Sequence, residues 1–567
     1  MRVGADSHAL KTLPKVSSVI NLISVSDPVC DSLIRVIKGA TGAILITILT
    51  LFLYNRIAHI PRSSIFIDWV LLILFLGGGR LGYRICADKI SWNNLHENLE
   101  KVIIIGAGPA GLTAAYELSK SQNNVVVLEK KTRVGGLAET KVFGNFRYDI
   151  GPHRFFTKNK EVYELFIEML GGDAVEVKRK TRILFKNSYF DYPLTPINAL
   201  FGLGFFESVI IGFSYIYARI KNYLGLSKIN NFEDWVVNRF GKRLFDNFFK
   251  NYTEKVWGID CSDIGSDWAA QRIKGLSLST AIKFALFPNS KKRPKTLVDK
   301  FYYPKLGAGM LWEKFEEYIV NKNVKVIKEH KVTKVKKSKK GYVVTYENNS
   351  GERYTLSAKN IFFSNPLLEF IDIFDEEVPE DVLEAANNLD YRNHISVHLT
   401  IDKKLFDDNW IYIHSPNLKM ARIADFSNFS NFMSTKGTYP LTIEYFCFEN
   451  DDMWNQENNK IIEFSLSELK SIFNIDFNIM HSEVSRNAKA YPVIKTGYEK
   501  YIDVIKDWLT SVPNLTAIGR SGMFKYNNQD HAMATGLYAA RNLLGLGNYD
   551  PWEVNVDGEY QEESFEE

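Results

Sequence analysis

Residues 101–136 read KVIIIGAGPAGLTAAYELSKSQNNVVVLEKKTRVGG, and the order of residue types in this stretch decides the fold. An apolar strand, a glycine turn, a helix, a second strand ending in an acid and then a paired glycine are what a chain needs to hold a dinucleotide. Gly106 lets the chain turn sharply out of the strand, Gly108 lets the backbone approach a pyrophosphate, and Gly111, next to the small Ala110, lets the new helix pack on the strand. The phosphates then sit on a positive helix end. Glu129, at the tip of the second strand, is placed to accept hydrogen bonds from a ribose, and its charge repels a 2′-phosphate.

Arg133, Gly135 and Gly136 follow, beyond the minimal nicotinamide pattern. They resemble the extended signature of flavoproteins of the amine oxidase and glutathione reductase type, and that resemblance implies FAD as the cofactor. The fold class expected is therefore α/β, a Rossmann-type FAD-binding domain joined to an α+β substrate domain.

A chain of 567 residues exceeds what one hydrophobic core supports, so more than one domain is expected. Basic and acidic side chains nearly balance, 70 against 66, which gives no reason to expect nucleic acid as a partner. Cys30, Cys86, Cys261 and Cys447 are scattered without metal-ligand spacing, so no metal site is expected and a reducing compartment fits.

Ahead of the glycine turn the chemistry changes. A polar segment, residues 1–37, precedes Gly39–Asn55, which carries no charge, and Ser63–Gly79, which carries only Asp68. Each is 17 residues, about 25 Å as a helix at roughly 1.5 Å per residue, just short of a hydrocarbon core. With the polar turn NRIAHIPR between them, residues 38–99 read as a transmembrane helical hairpin and linker, in preference to buried core helices or a signal peptide. Arg35, Lys38, Arg80 and Arg84 outside the hairpin outnumber Arg56 and Arg62 in its turn, which places the catalytic part on the cytoplasmic side of an inner membrane. The hairpin resembles the last part of the membrane region of bacterial polysaccharide-biosynthesis epimerases and dehydratases.

From residue 100 to 550 the FAD-binding and substrate domains interleave, and 551–567 is an acidic tail. Residues 323–348 alternate as strands around a Lys-Gly turn, and AKNIFFSNP (358–366) reads as a strand returning to the dinucleotide sheet. A helical insertion spans roughly 195–285, and 391–450 supplies strands for an antiparallel substrate sheet. Ala199–Tyr217 is apolar around Glu207 and reads as a core helix of the substrate domain, with interfacial attachment as the alternative. The basic run KKRPK (291–295) reads as solvated surface.

Three further stretches resemble UDP-galactopyranose mutases, and what they imply is carried over by position. In YDIGPHRFFT (148–157) His153 falls on a histidine that lies against the flavin, while the family's second histidine is Phe156 here. In NYTEKVWGIDCSDIGSDWAAQRIKGL (251–276) Tyr252 and Trp257 match residues framing the uracil and sugar, and Arg272 matches the arginine that clamps the substrate diphosphate once one inserted residue is allowed. In LTAIGRSGMFKYNNQDHAMATGLYAARNLLG (515–545) Gly519 and Arg520 match FAD-contacting positions and Tyr526 a diphosphate-binding tyrosine, while the helix near Asp530 aims its N-terminus at the flavin. FYYPKLGAGMLWEKFEEYI (301–319) resembles the proline and glycine run that opens a helix beside the FAD domain in protoporphyrinogen oxidases and desaturases.

The function expected is a membrane-tethered FAD enzyme acting on a nucleotide sugar for surface polysaccharide. The resemblance to the mutases implies that reduced flavin attacks the anomeric carbon while Arg272 and Tyr526 stabilise the departing nucleoside diphosphate. The alternatives are a two-electron oxidase or dehydrogenase of the amine oxidase or protoporphyrinogen oxidase type, and a non-enzymatic membrane scaffold. The partners implied are a small-molecule substrate and the lipid bilayer; the sequence names no protein partner.

Overall fold

Val102–Ile105 is four β-branched residues, all buried, and such a run has no face to give to water. It sits in the middle of a five-stranded parallel sheet, flanked by Asn360–Phe363 and Val125–Leu128 and then by Leu515–Ala517 and Lys325–Ile327. The computed structural model describes residues 101–121, 124–192, 198, 202–266 and 300–555. The apolar stretches 39–55 and 63–79, Arg272, the basic run 291–295 and the tail from residue 556 lie outside the described residues. Among the described residues no helix is long and apolar enough to cross a membrane.

Both faces of the parallel sheet are covered, as parallel pairing requires. Val102 and Ile104 pack on one side with Leu112, Phe315 and Leu537, and Ile103 and Ile105 on the other with Phe363, Phe370 and Trp508. Each buried Ile or Val contributes on the order of 1.5–3 kcal/mol, so one four-residue strand anchors helices from three distant parts of the chain. The stretch 358–366 joins this sheet, and Lys325–Ile327 does too. His330–Ser338 and Gly341–Asn348 pair antiparallel around the Lys-Gly turn, with Arg353–Ala358 as a third strand.

The second large sheet has seven strands, in the order Ile479–Pro492, Tyr391–Ile401, Tyr439–Cys447, Arg422–Asp425, Trp410–Ile413, Thr181–Phe185, Ser188–Asp191. It is antiparallel except at one seam, where Trp410–Ile413 runs parallel to Thr181–Phe185. Thr181–Asp191 is a hairpin that precedes the helical insertion in the chain, so the substrate sheet is assembled from both sides of that insertion. Tyr391–Ile401 is buried at every position, polar ones included, because its outer face is covered as well.

The helical insertion comprises Phe205–Tyr223, Phe232–Phe240 and a run from Lys242 to Trp257 that passes through a π-helical stretch, Phe245–Lys250. Phe205–Tyr223 is not the core helix that its apolarity suggests. Ile211 and Ala218 are its only buried residues, and Phe206, Phe213 and Tyr217 face outward. Glu207 is satisfied by Arg243 at 2.6 Å and Asn247 at 2.8 Å, so the helix is held to the insertion by polar bonds at its start and by a narrow apolar strip.

The two sheets meet at the hairpin formed by Thr140–Phe143 and Phe146–Asp149. Asp149, buried at its end, accepts hydrogen bonds from Thr140 Oγ1 at 2.6 Å, Tyr303 OH at 2.7 Å and Ala308 N at 3.1 Å. Those bonds fix the loop ahead of the helix Gly309–Asn321. Burial pushes the Asp149 carboxyl up to about 7. A folded-state value raised above the unfolded value of ~3.9 means that the stabilising effect of protonation is complete below that pH and is lost as pH rises through about 7. The Tm of Asp149→Asn should therefore rise relative to that of the parent as pH goes from ~4 to ~8, whatever its offset at pH ~4. A difference in Tm that does not change with pH would contradict the assignment.

Candidate active site

The carboxyl ends of the parallel strands open onto a cavity of about 1020 Å³, at the upper end of the ~300–1,000 Å³ usual for ligand sites. Gly106, Gly108, Ala110, Glu129 and Gly136 line it on the side of the glycine turn. Gly106 adopts φ +99°, and a Cβ at Gly111 would lie 2.0 Å from the Gly106 carbonyl oxygen, so only glycine lets the helix Pro109–Ser119 start this close to the strand. That helix begins at Gly108 with no side-chain cap and no acid in its first turn. Its N-terminus is thus left to an anionic ligand, and the turn fits a dinucleotide pyrophosphate.

Glu129 is buried, and its carboxylate accepts hydrogen bonds from Ala107 N at 2.7 Å and Lys131 N at 2.9 Å. It therefore braces the glycine turn as well as facing the cavity, and a carboxylate has lone pairs left for a ribose. Gly135 donates to Ala107 O at 2.8 Å, closing the second glycine turn onto the first. Arg133 pairs with an acid on a helix. Its guanidinium bonds Glu313 at 2.9 Å and does not line the cavity, because the turn at Gly135 directs it to the helix Gly309–Asn321.

On the far side, His153, Tyr252, Arg520 and Tyr526 all reach the same cavity, although they are up to 373 residues apart in the chain. Arg520 lies over the rings of Tyr526 at 4.7 Å and Tyr491 at 5.0 Å, and donates from Nε to Asn527 O at 2.7 Å. Tyr252 stacks on His414 with centroids 4.5 Å apart and planes 10° apart. Trp257 is buried 5.7 Å behind Tyr526 and does not line the cavity, so its place is to support that ring. Gly519 lines the cavity, whereas Asp530 does not: its carboxylate lies 3.7 Å from His531, and Asn528 and Gln529 take the lining positions at that helix start.

His153 is held neutral, its pKa lowered to about 4 by burial and then by the Arg520 charge. Its Nδ1 is buried with no hydrogen-bond partner among the described residues, which leaves one ring nitrogen for a bound molecule. Phe156 lines the cavity under the Arg154 guanidinium at 4.7 Å.

A buried ionic cluster on the substrate sheet has no counterpart in the sequence reading. Glu444 pairs through both oxygens with Arg422, at 2.6 Å on Nε and again at Nη2, and meets His394 Nε2 at 3.0 Å. Burial opposes the Glu444 charge, but Arg422 prevails and lowers its pKa to about 2. Ser396 then donates to Ile150 O at 2.7 Å, so the cluster is tied to the Gly-Pro-His segment. The available signal was a lone acid in PLTIEYFCF and an arginine in MARIAD, charges in otherwise apolar strands.

The model for flavin containing amine oxidoreductases matches residues 109–544, and the cavity just described is formed within that span. The chain belongs to that family. Its cofactor is FAD. It is 23% identical over 342 residues to an L-amino-acid oxidase of Crotalus adamanteus, covering 55% of this chain and 60% of that protein. It is also 23% identical over 175 residues to a probable UDP-galactopyranose mutase of Klebsiella pneumoniae, covering 30% of this chain and 43% of that one. The family member thus spans less than two thirds of these relatives. Reduced UDP-galactopyranose mutase superposes with a TM-score of 0.71 at 19% identity, over 82% of this chain and 99% of its own. A putative protoporphyrinogen oxidase from Exiguobacterium sp. 255-15 gives 0.62 at 15%, over 79% and 99%. At such identities the likeness speaks for the fold.

Gly111→Ala should lower the FAD recovered per chain by about tenfold or more, since the new methyl displaces the helix end that the pyrophosphate needs. Measuring released flavin against far-ultraviolet circular dichroism checks this; a folded variant with full flavin content would contradict it.

Proposed function

We infer that this flavoenzyme acts on a diphosphate-linked sugar, in the manner of a nucleotide-sugar mutase. The observation that carries the reading is the electrostatic character of the cavity. Arg154, Arg422 and Arg520 face it with Tyr252, Tyr491 and Tyr526, a guanidinium and phenol set suited to diphosphate oxygens. None of His153, His414 and Glu444 is poised near neutrality, having been moved to about 4, about 3 and about 2. These groups therefore serve to bind and orient, and the flavin supplies the covalent or two-electron chemistry when bound.

In this reading Tyr526, with the Arg520 guanidinium over its ring, meets the leaving diphosphate, and Arg272 is the further clamp that the sequence suggests. Neutral His153 offers one hydrogen bond without adding charge. Tyr252 provides a ring face, stiffened by its stack on His414. The apolar stretches 39–55 and 63–79 support a bilayer location, the basic residues outside them support a cytoplasmic site, and their resemblance to polysaccharide-biosynthesis proteins supports surface polysaccharide as the product class.

Phe156 in place of a histidine favours a second reading, a two-electron oxidase or dehydrogenase of the amine oxidase or protoporphyrinogen oxidase type. Incubating oxidised and dithionite-reduced protein with diphosphate sugars, amines and a porphyrinogen separates the two. Ring isomerisation by the reduced protein alone is the expected result. Oxygen uptake with an amine or porphyrinogen, and no sugar change in either state, would reverse the ranking. Tyr526→Phe should weaken uridine diphosphate binding by about three- to tenfold with FAD retained; unchanged affinity would remove Tyr526 from the role.

A further inference from the structure

The part of the cavity wall that the helical insertion supplies is mostly apolar. Ile183, Phe240, Leu244, Phe248, Phe249 and Val256 face the same space as Arg422 and Arg520. Among the described residues of the helical insertion, the only polar side chains on this wall are the hydroxyls of Tyr252 and Thr253. A nucleobase is read by paired donors and acceptors, whereas an apolar chain needs only area that excludes water.

The apolar wall does not stop at the cavity. Phe240, Leu244 and Phe248 belong to one packed cluster with Ile211, which lies on the inner face of the helix Phe205–Tyr223. The opposite face of that helix is exposed, with Phe206 at 83%, Phe213 at 69%, Tyr217 at 70% and Tyr223 at 91%. These positions fall on one helical stripe, and no charged residue occurs from Ser208 to Ala218. At the C-terminal end of the stripe Arg219, Lys221 and Lys228 are exposed. A contiguous apolar patch of this kind is not a water-facing surface, and the cations beside it complement anionic lipid headgroups.

We propose that the substrate is a lipid-linked sugar diphosphate, whose apolar chain lies along the wall of Phe240, Leu244 and Phe248 and which is taken up from a bilayer against the helix Phe205–Tyr223. The proposal rests on the diphosphate-sugar reading above and replaces the nucleoside by a long apolar chain. Tyr526 stands at the junction, where the diphosphate joins the chain to the sugar, with Arg422, already paired with Glu444, lining the same cavity. The insertion thus has one apolar surface inside, for the chain, and one outside, for the membrane the chain comes from.

Titrating the detergent-solubilised full-length holoprotein with geranylgeranyl diphosphate and with uridine diphosphate, read through the flavin absorbance spectrum, tests the substrate class. The expected result is geranylgeranyl diphosphate bound at least about tenfold more tightly. Uridine diphosphate bound equally or more tightly would overturn the apolar chain while leaving the diphosphate reading intact. Binding of neither would overturn both. Phe249→Ser, in a variant retaining FAD, should lower geranylgeranyl diphosphate affinity more than uridine diphosphate affinity and so reduce that preference; an unaltered preference would count against the wall. Phe206→Asp/Phe213→Asp touches no cavity residue, and should weaken binding of geranylgeranyl diphosphate presented in phosphatidylglycerol vesicles but not in detergent. Equal binding in both formats would overturn uptake through this helix.

Discussion

The helix Pro109–Ser119 can begin where it does only because nothing projects from Gly111 toward the carbonyl of Gly106. A single added carbon would stand 2.0 Å from that oxygen. From this close approach the rest follows: the N-terminus of the helix is brought to the carboxyl edge of the sheet, uncapped, and Glu129 is drawn in to hold the amide of Ala107. The sheet itself is short, four residues at its centre, and draws strands from residues 360 and 515 and helices from residues 309 and 529 onto the first motif. Distant segments reach the cavity because they are obliged to bury the faces of that small sheet.

The substrate side is organised by a different force. Holding the Glu444 carboxylate buried carries a desolvation cost of several kcal/mol, which its bidentate pairing with Arg422 offsets. Because Ser396 donates to Ile150 O and Thr442 to Asp149 O, the sheet that carries these charges is bonded to the hairpin leading into Pro152 and His153. The Arg422–Glu444 pair and the segment carrying His153 are therefore joined by hydrogen bonds, and a change at Glu444 is felt on both sides of the cavity.

What the sequence made legible is what is encoded locally. The glycine turn, the returning strand at 358–366 and the Lys-Gly hairpin each depend on neighbours a few residues away, and each is found where the pattern puts it. His153, Tyr252, Arg520 and Tyr526, assigned by likeness to the mutases, converge on one cavity. Arg133 bonds Glu313 and the Asp530 carboxylate lies beside His531, contacts to residues that the glycine pattern itself does not specify. Arg422 and Glu444 escaped notice because a salt bridge between strands 22 residues apart has no signature within either strand. The parallel seam between Thr181–Phe185 and Trp410–Ile413 escaped for the same reason, and the helix Phe205–Tyr223 misled because apolarity alone does not say which solvent a face meets.

The account stands on FAD lying across the turn from Gly106 to Gly111, with Glu129 at its ribose. An electron-density map of the purified holoprotein tests this most directly. The account predicts one FAD per chain, its pyrophosphate against the first turn of the helix Pro109–Ser119 and its ring system in the cavity shared by His153 and Tyr252. A map in which that turn is bare, or in which flavin lies elsewhere, would contradict it.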